Sequence, residues 1–337
     1  MITKIAALAL VVSILMASSA MDAWAKDAPI TECDRLMSDR TDPDRVFDVS
    51  NVPSNIPKDV FRICSDALAR YPDSLRLKFL MARVEITTSN HDLGLTLLRD
   101  AAGRGYRHAM FVWGNYLANL DYAGAILSLG FLDMPPGPAR NKGDIDPQSA
   151  AAQEGVAYIR RAAGMDHPLA QFVMGQLHEV GTLVAKSSEK SLFWYHELAR
   201  HMPGRGENAI GLHYLNQVSP TGPYEDFKEQ ELVRKAKRHL RKGAEHGDLK
   251  AKAILGDMLI DAWFESERDV EKGLAMVTEA GEEGNPTASA VLIKLYTEGE
   301  ATEKDLEKAR YFACKSFFSK FLYQETTGER LACPIDR

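Results

Sequence analysis

A short phrase of small residues recurs along the middle of this chain and constrains its fold more than any other feature. The phrase is A-A-x-x-G-x-x-x-A-x-x-x-L-G, where x stands for any residue, and its clearest copies begin at Ala101, Ala162, Gly243 and Ala280. Gly247 and Gly284 occupy the same position in two neighbouring copies and lie 37 residues apart. A period of this length is typical of stacked repeat proteins and not of independent globular domains.

The spacing of the small residues favours helices. Small residues four positions apart share one helix face, where they allow a second helix to approach closely. Gly105 and Gly247 are placed to end helices, because a helix terminus often requires a positive φ angle. Asp269 and Asp305 are suited to cap the helices that follow them. Since one antiparallel helix pair cannot bury its apolar face alone, the pairs must stack, and the sequence predicts an all-α solenoid.

One segment carries a family resemblance. It runs from Gly181 to Ala199 and reads GTLVAKSSEKSLFWYHELA. The residues that match the family pattern are Gly181, Val184, Lys190, Trp194, Tyr195 and Ala199. The unit resembles the Sel1-like repeat, a relative of the tetratricopeptide repeat. This resemblance implies a right-handed α/α solenoid of stacked antiparallel helix pairs.

The repeats depart from the family pattern at three places. Asp166 stands where the usual glycine would lie, and Ile293 replaces the second residue of the L-G pair. The copy at residues 200–220 is degenerate, and the segment Gly204-Arg205-Gly206 within it is interpreted as a loop. These departures leave the local helix geometry open at these positions, while the fold class is retained.

The first 25 residues have the features of a secretory signal peptide. Lys4 supplies a positive charge, and residues 5–17 form an apolar run shorter than the roughly 20 residues needed to span a bilayer. Ala23-Trp24-Ala25 offers a cleavage site, with a second candidate after Ala20. We expect a periplasmic or secreted protein that has no stable membrane insertion after cleavage near Ala25. An uncleaved membrane anchor is the alternative.

The chain has four cysteines, an even number that favours disulfides in an oxidising compartment. Of the three possible pairings, we predict the two local ones, Cys33 with Cys64 and Cys314 with Cys333. Each closed loop would contribute about 3–4 kcal/mol in the chain-entropy account. Metal ligation and a catalytic thiol are the alternatives, and the absence of a C-x-x-C motif argues against zinc. The Cys33-Asp34-Arg35-Leu36 segment also resembles the leader found before such repeats in secreted bacterial proteins.

Composition and repeats together divide the chain into four regions. Prolines at positions 135, 136 and 138 mark an insertion loop at residues 122–151, inside the repeats. The predicted regions are the signal peptide (1–25), an N-terminal arm with a capping helix (26–72), the repeat solenoid (73–320) and a C-terminal tail (321–337).

Charge and motifs exclude several classes of function. A formal charge of −6 and a pI of about 5.9 argue against nucleic acid as a partner. His196 and His201 are five positions apart, so they do not share a helix face as a pair of zinc ligands would. The sequence contains no nucleophile elbow, P-loop or dinucleotide-binding motif. We therefore predict no enzyme activity, no catalytic or metal-binding residues and no cofactor.

The family resemblance implies that one helix of each repeat faces a concave groove. The groove positions in this chain are Phe111, Asn115, Phe172, Gln176, Lys250, Asp257 and Lys294. We expect an exported scaffold that binds a protein partner of the cell envelope there, as an adaptor or regulator of an envelope complex or sensor kinase. The alternative is an envelope enzyme or binding protein acting on cell-wall material, which groove carboxylates of raised pKa would support. No oligomeric state follows from the sequence.

Overall fold

The structure is a computed structural model of the chain. The expected signal peptide and residues 122–139 of the insertion loop lie outside the residues that it describes. Two compact units, Met1–Val173 and Met174–Arg337, make up the chain. The described residues are 28–47, 57–87, 90–120, 140–141, 144–218, 227–261, 268–299, 301–315, 317–328, 331 and 333.

The first unit consists mainly of short helices. Those in its described part are α1 (Glu32–Met37), α2 (Val60–Arg70), α3 (Leu75–Thr87), α4 (His91–Gly103), α5 (Arg107–Ala118) and α6 (Ala150–Gly164). Two two-residue strands, β1 (Arg140–Asn141) and β2 (Asp144–Ile145), pair in antiparallel register. α3 packs against α4, and α5 packs against α6. The helix α7 (Pro168–Val180) contains the junction between the two units.

The second unit continues the same pattern. Its described helices after α7 are α8 (Ser188–His201), α9 (Pro203–Leu215), α10 (Phe227–Glu245), α11 (Leu249–Ile260), α12 (Val270–Glu282), α13 (Pro286–Glu298), α14 (Leu306–Lys315) and α15 (Phe317–Thr327). α8 packs against α9, α9 against α10, α11 against α12 and α13 against α14. The all-α prediction of helix pairs is therefore confirmed.

Glycines allow paired helices to approach closely in both units. A Cβ atom added at Gly114 of α5 would lie 2.7 Å from the carbonyl oxygen of Gly155 on α6. One added at Gly256 of α11 would lie 2.8 Å from the carbonyl oxygen of Gly273 on α12. Real Cβ atoms do not come this near to backbone oxygen, so the close helix packing predicted from the small residues is confirmed.

The repeat glycines also end helices as predicted. Gly105, Gly247 and Gly284 have φ angles of 105°, 82° and 77°. Asp166 holds the same position in its repeat and has φ of 60°, although aspartate adopts this region less readily than glycine. The departure at Asp166 therefore changes the residue but keeps the sign of φ.

Three boundaries differ from the sequence-based expectations. The Gly204-Arg205-Gly206 segment is not a loop but lies in α9, where Pro203 occupies the first turn and suits a helix start. The helix α6 begins at Ala150, inside the expected 122–151 loop, because Ser149 caps it by accepting a hydrogen bond from the amide of Ala152. The helix α15 extends into the expected 321–337 tail.

Both predicted disulfides are present. Cys33 on α1 is bonded to Cys64 on α2, and Cys314 on α14 is bonded to Cys333. The core next to the second disulfide is built from buried aliphatic and aromatic side chains, among them Leu292 of α13, Phe312 of α14 and Tyr323 of α15. The first disulfide thus joins the first two described helices, and the second joins α14 to a residue beyond α15.

Candidate functional site

Two of the predicted groove residues lie in the first unit and are buried. The ring of Phe111 is completely enclosed and stacks on His167, with their centroids 4.7 Å apart. Asn115 is 5% exposed, and its Nδ2 donates to the carbonyl oxygen of Phe111 at 2.7 Å. The expectation that these two side chains face a groove is therefore wrong, because neither has the exposed surface that a partner could contact.

The N-terminal arm contacts the turn of α5 that precedes Phe111. His108 lies one turn before Phe111, and its Nε2 is 3.6 Å from Asp39 of the arm. Its Nδ1 lies 2.8 Å from Nε2 of His167. Burial lowers the pKa of His108, but the charges of Asp42 and Asp39 outweigh this effect and raise it. Because all of these side chains are buried, the cluster has a structural role and is not an accessible site.

The other five predicted residues keep some exposure. Phe172 and Gln176 are partly exposed on α7, and Asp257 is partly exposed on α11. Lys250 and Lys294 are exposed, on α11 and α13 respectively. Four of the five, all except Phe172, belong to the second unit, so most of the accessible predicted positions lie there.

Asp257 is part of a small charged cluster. Burial and the neighbouring carboxylate of Asp261 raise the pKa of Asp257 to about 6, although the charge of Lys294 opposes the shift. Nζ of Lys294 lies 3.6 Å from Oδ2 of Asp261, which links α11 to α13. Of the predicted residues, the structure therefore brings Asp257 and Lys294 together.

A second polar cluster joins α7, α8 and α9 around Glu179. Its Oε2 accepts a hydrogen bond from the hydroxyl of Tyr195 at 2.7 Å, and its Oε1 accepts one from Nδ2 of Asn216, also at 2.7 Å. Burial raises the pKa of Glu179, but these bonds and the contact with His213 outweigh it and lower the pKa to about 2. Glu179 is therefore ionised at neutral pH.

Two groups beside Glu179 have unused hydrogen-bonding capacity among the described residues. Oε1 of Gln176 is buried and has no hydrogen-bond partner there. Both ring nitrogens of His213 are likewise buried and lack hydrogen bonds, and Nδ1 is 3.7 Å from Glu179, which is too long for one. Buried polar atoms without partners carry a free-energy cost, and atoms this enclosed are not accessible to a binding partner.

Several members of these two clusters lie on alternate helices of the second unit. We call these residues the polar stripe. α9 contacts α11, and α11 contacts α13. The stripe consists of Gln176 and Glu179 on α7, His213 on α9, Asn216 just after α9, Asp257 on α11, Asp261 just after α11, and Lys294 on α13.

The described residues offer few features of a catalytic or metal centre. His196 and His201 are both exposed on α8, as expected for surface residues. Nowhere in the described ranges do three or more His, Cys, Asp or Glu side chains form a group that could hold a metal ion. Within the same ranges, every helix is too short or too polar to cross a membrane.

Comparison with known proteins supports the fold. No family model matches this chain, and no curated protein matches it. A solved Sel1 repeat protein from Oxalobacter formigenes is similar with a TM-score of 0.51 and 21% sequence identity, over 74% of this chain and 91% of that one. An immunity protein from Pseudomonas aeruginosa matches with a TM-score of 0.41 and 14% identity, over 71% of this chain and 75% of that one.

Of these two structures, the Oxalobacter protein is the one similar enough to identify the fold. It covers most of both chains, and its repeats are those that the Gly181 to Ala199 segment resembles. This chain therefore has the fold of a Sel1 repeat protein, built from antiparallel helix pairs. The resemblance found in the sequence is confirmed at the level of the fold.

The sequence reasoning missed four of the seven residues of the polar stripe. Glu179 follows Gln176 by three positions, and Asp261 follows Asp257 by four, so each pair shares a helix face. That spacing is a signal that could have found both carboxylates. His213 lies in the degenerate repeat and had no such signal.

Proposed function

We propose that this chain is an exported scaffold that binds a segment of a protein partner along the polar stripe. The repeat fold supports a role in protein interaction, because stacked helix pairs offer extended surfaces without chemistry of their own. The single observation that carries the proposal is the run of polar side chains with exposed surface on alternate helices, namely Gln176 and Glu179 on α7, Asp257 on α11 and Lys294 on α13.

The charges of the stripe indicate what the partner segment contains. Glu179 and Asp261 supply negative charge, and Asp257 becomes negative above its raised pKa of about 6. Lys294 offsets one of these charges. We infer that the partner presents basic side chains, because complementary charge sets specificity and the rate of association.

An envelope location is part of this proposal. Disulfides persist in exported proteins and are rare in the cytosol, and this chain has two. A partner in the periplasm or on the cell surface would meet the protein in that compartment. The resemblance to secreted Sel1-like proteins makes an adaptor or a regulator of a sensor kinase the first class of partner to test.

The test is an affinity capture with three columns that carry residues 26–337. The first carries the unchanged protein and the second carries Asp257→Asn with Asp261→Asn. The third carries Glu189→Gln with Glu283→Gln, which are exposed glutamates outside the stripe and give the same change in charge. We expect one envelope protein to bind the first and third columns and to be lost from the second. Equal retention on all three columns would place the binding surface elsewhere.

A second candidate function has one observation in its favour. Asp257, with its pKa raised to about 6, lies near the carboxylate of Asp261 and could act as a general acid on cell-wall material. The assay is the release of reducing ends from purified peptidoglycan. Activity that is lost in Asp257→Asn would establish the enzyme, and the absence of release from the unchanged protein would eliminate it.

A further inference from the structure

A cleft in the second unit lies between α10, α11 and α12. Its volume is about 370 Å³, near the lower end of the range for small-molecule sites. The residues that line it recur at intervals of three or four positions along each helix, so each helix contributes one face. They are Lys237, Arg241, Ala244 and Glu245 on α10, Leu255, Met258 and Leu259 on α11, and Lys272 and Met276 on α12.

The floor of the cleft is apolar and adaptable. Leu255, Leu259 and Met276 are partly exposed there, and Met258 is almost fully buried beneath them. Methionine side chains are flexible and polarisable, and they are common at surfaces that accommodate apolar ligands of varied shape. The floor is therefore suited to an aliphatic chain.

The rim of the cleft is positively charged. Lys237, Arg241 and Lys272 line it, and Glu245 is the one acidic residue among the lining side chains. Arg241 and Lys272 are exposed and form no ion pair with any other residue that the structure describes. A rim of this charge complements an anionic group held at the mouth of an apolar cleft.

A single aliphatic chain fits these features better than a polypeptide does. The lining belongs to helices, whose backbone groups in mid-helix are already bonded to one another, so it offers no partners for an extended peptide backbone. A helical peptide is 10–12 Å wide, and a single turn of it occupies more space than the 370 Å³ of this cleft. An aliphatic chain has no backbone to satisfy, and a carboxylate matches the geometry of an arginine.

We propose that this cleft binds a long-chain fatty acid, with the aliphatic chain on the floor of Leu255, Met258, Leu259 and Met276 and the carboxylate against Arg241 and Lys272. The site is separate from the polar stripe and does not depend on the proposed function.

The experiment is titration calorimetry of residues 26–337 with dodecanoate below its micelle concentration. Dodecan-1-ol tests the contribution of the charge, because it keeps the chain and lacks the carboxylate. The variant Arg241→Glu with Lys272→Glu reverses the rim. Its matched control is Arg238→Glu with Lys190→Glu, two exposed cations that do not line the cleft and that change the net charge equally.

We expect dodecanoate to bind the unchanged protein and the control equally. Binding of dodecan-1-ol, and binding of dodecanoate to the rim variant, should each be weaker by about tenfold or more. The proposal is overturned if dodecanoate does not bind, or if the rim variant binds as well as the control. Binding of an acidic amphipathic peptide in place of dodecanoate would also overturn it and would assign the cleft to a protein partner.

Discussion

The two units of the chain differ in how deeply their ion pairs are buried. In the first unit, Arg76 and Asp34 form an ion pair in which both side chains are almost completely buried. In the second unit, ion pairs such as Lys252 with Glu279 lie at the surface, 2.6 Å apart with the glutamate side chain 64% exposed. The first unit thus holds an ion pair that is shielded from solvent, whereas the second leaves charged groups where a partner can reach them.

The N-terminal arm is the cause of this difference. Residues 28–47 supply Asp34, Asp39, Asp42 and Asp44, and each of these contacts a side chain of α3, of α5 or of the residue just before α5. A buried charge must keep its partner or pay the full cost of desolvation, so such contacts fix the arm in one position. The polar stripe of the second unit has no described counterpart to this arm, which is why we place the partner there.

The largest expected effect comes from breaking the buried pair of the first unit. Asp34→Ala leaves the guanidinium of Arg76 buried without its carboxylate, and this should lower the free energy of unfolding by about 3–5 kcal/mol. The matched change in the second unit, Glu279→Ala, removes an exposed partner and should cost less than about 1 kcal/mol. Urea denaturation followed by circular dichroism measures both values.

A double variant separates the cost of an unpaired buried charge from the cost of lost packing. Asp34→Leu combined with Arg76→Met replaces two buried charges by apolar side chains, and it should recover most of the loss seen in Asp34→Ala. If Asp34→Ala and Glu279→Ala cost the same amount, the contrast between buried and exposed charge would be refuted.

The two disulfides should differ in reactivity more than in stability. Their sequence separations are 31 and 19, so the chain-entropy account gives about 3–4 kcal/mol for each. Cys33 and Cys64 are completely buried, whereas Cys314 and Cys333 are partly exposed. Because reduction requires a thiolate to reach a sulfur atom, dithiothreitol should open the C-terminal bond first under native conditions.

Timed alkylation and mass spectrometry measure that order of reduction. The variants Cys33→Ser with Cys64→Ser and Cys314→Ser with Cys333→Ser provide the two stability losses for comparison. Reduction of Cys33–Cys64 first would mean that the arm opens more readily than its buried ion pairs imply.

Two aspartates should respond to pH with opposite sign. Burial raises the pKa of Asp39, but the hydrogen bond and charge of His108 and the charge of Arg83 outweigh it and hold the pKa well below its usual 3.8. Its stabilisation is therefore present above about pH 4 and is lost as the pH falls. Asp257 has its pKa raised from 3.8 to about 6, so stability falls as the pH rises from 3.8 through 6.

Substitution by asparagine exposes this contrast. Asp39→Asn should lower stability by about 1–3 kcal/mol at pH 7, and the loss should shrink as the pH falls below about 4. Asp257→Asn should raise stability at pH 7, and its advantage should vanish below the usual aspartate pKa of 3.8. Thermal denaturation between pH 3 and pH 8 gives both profiles, and profiles of the same sign would contradict the assignment.

The repeat architecture could be predicted because its signals are local. The cap at Asp269 is an example, since its side chain accepts a hydrogen bond from the amide of Lys272, three residues away. The disulfides were predictable because each pair is close in sequence. Spacings of three to forty residues carry most of the information that such a fold requires.

The contacts of the arm could not be predicted in the same way. The carboxylate of Asp44 meets the guanidinium of Arg107, and the hydroxyl of Tyr106 donates to Asp42, across more than sixty positions of sequence. Acidic residues in a proline-containing segment are typical of a solvated loop, so no local signal indicated that the arm would pack against α3 and α5, or that Phe111 and Asn115 of α5 would be buried. In the second unit, the family pattern supplied one position per repeat and left out side chains one turn further on, such as Glu179.

The smallest expected effect comes from the repeat position that Asp166 occupies, where both Gly105 of the first unit and Gly247 of the second are glycines. Asp166 adopts a φ of 60° where glycine would be free of strain, so Asp166→Gly should raise the free energy of unfolding by about 1 kcal/mol. The reverse test is Gly247→Ala, where φ is 82° and an added Cβ atom meets nothing within 4 Å, so only the backbone cost remains. That variant should lose about 1 kcal/mol in the same urea titration. A loss in Asp166→Gly would show that contacts of the aspartate side chain outweigh the strain in its backbone.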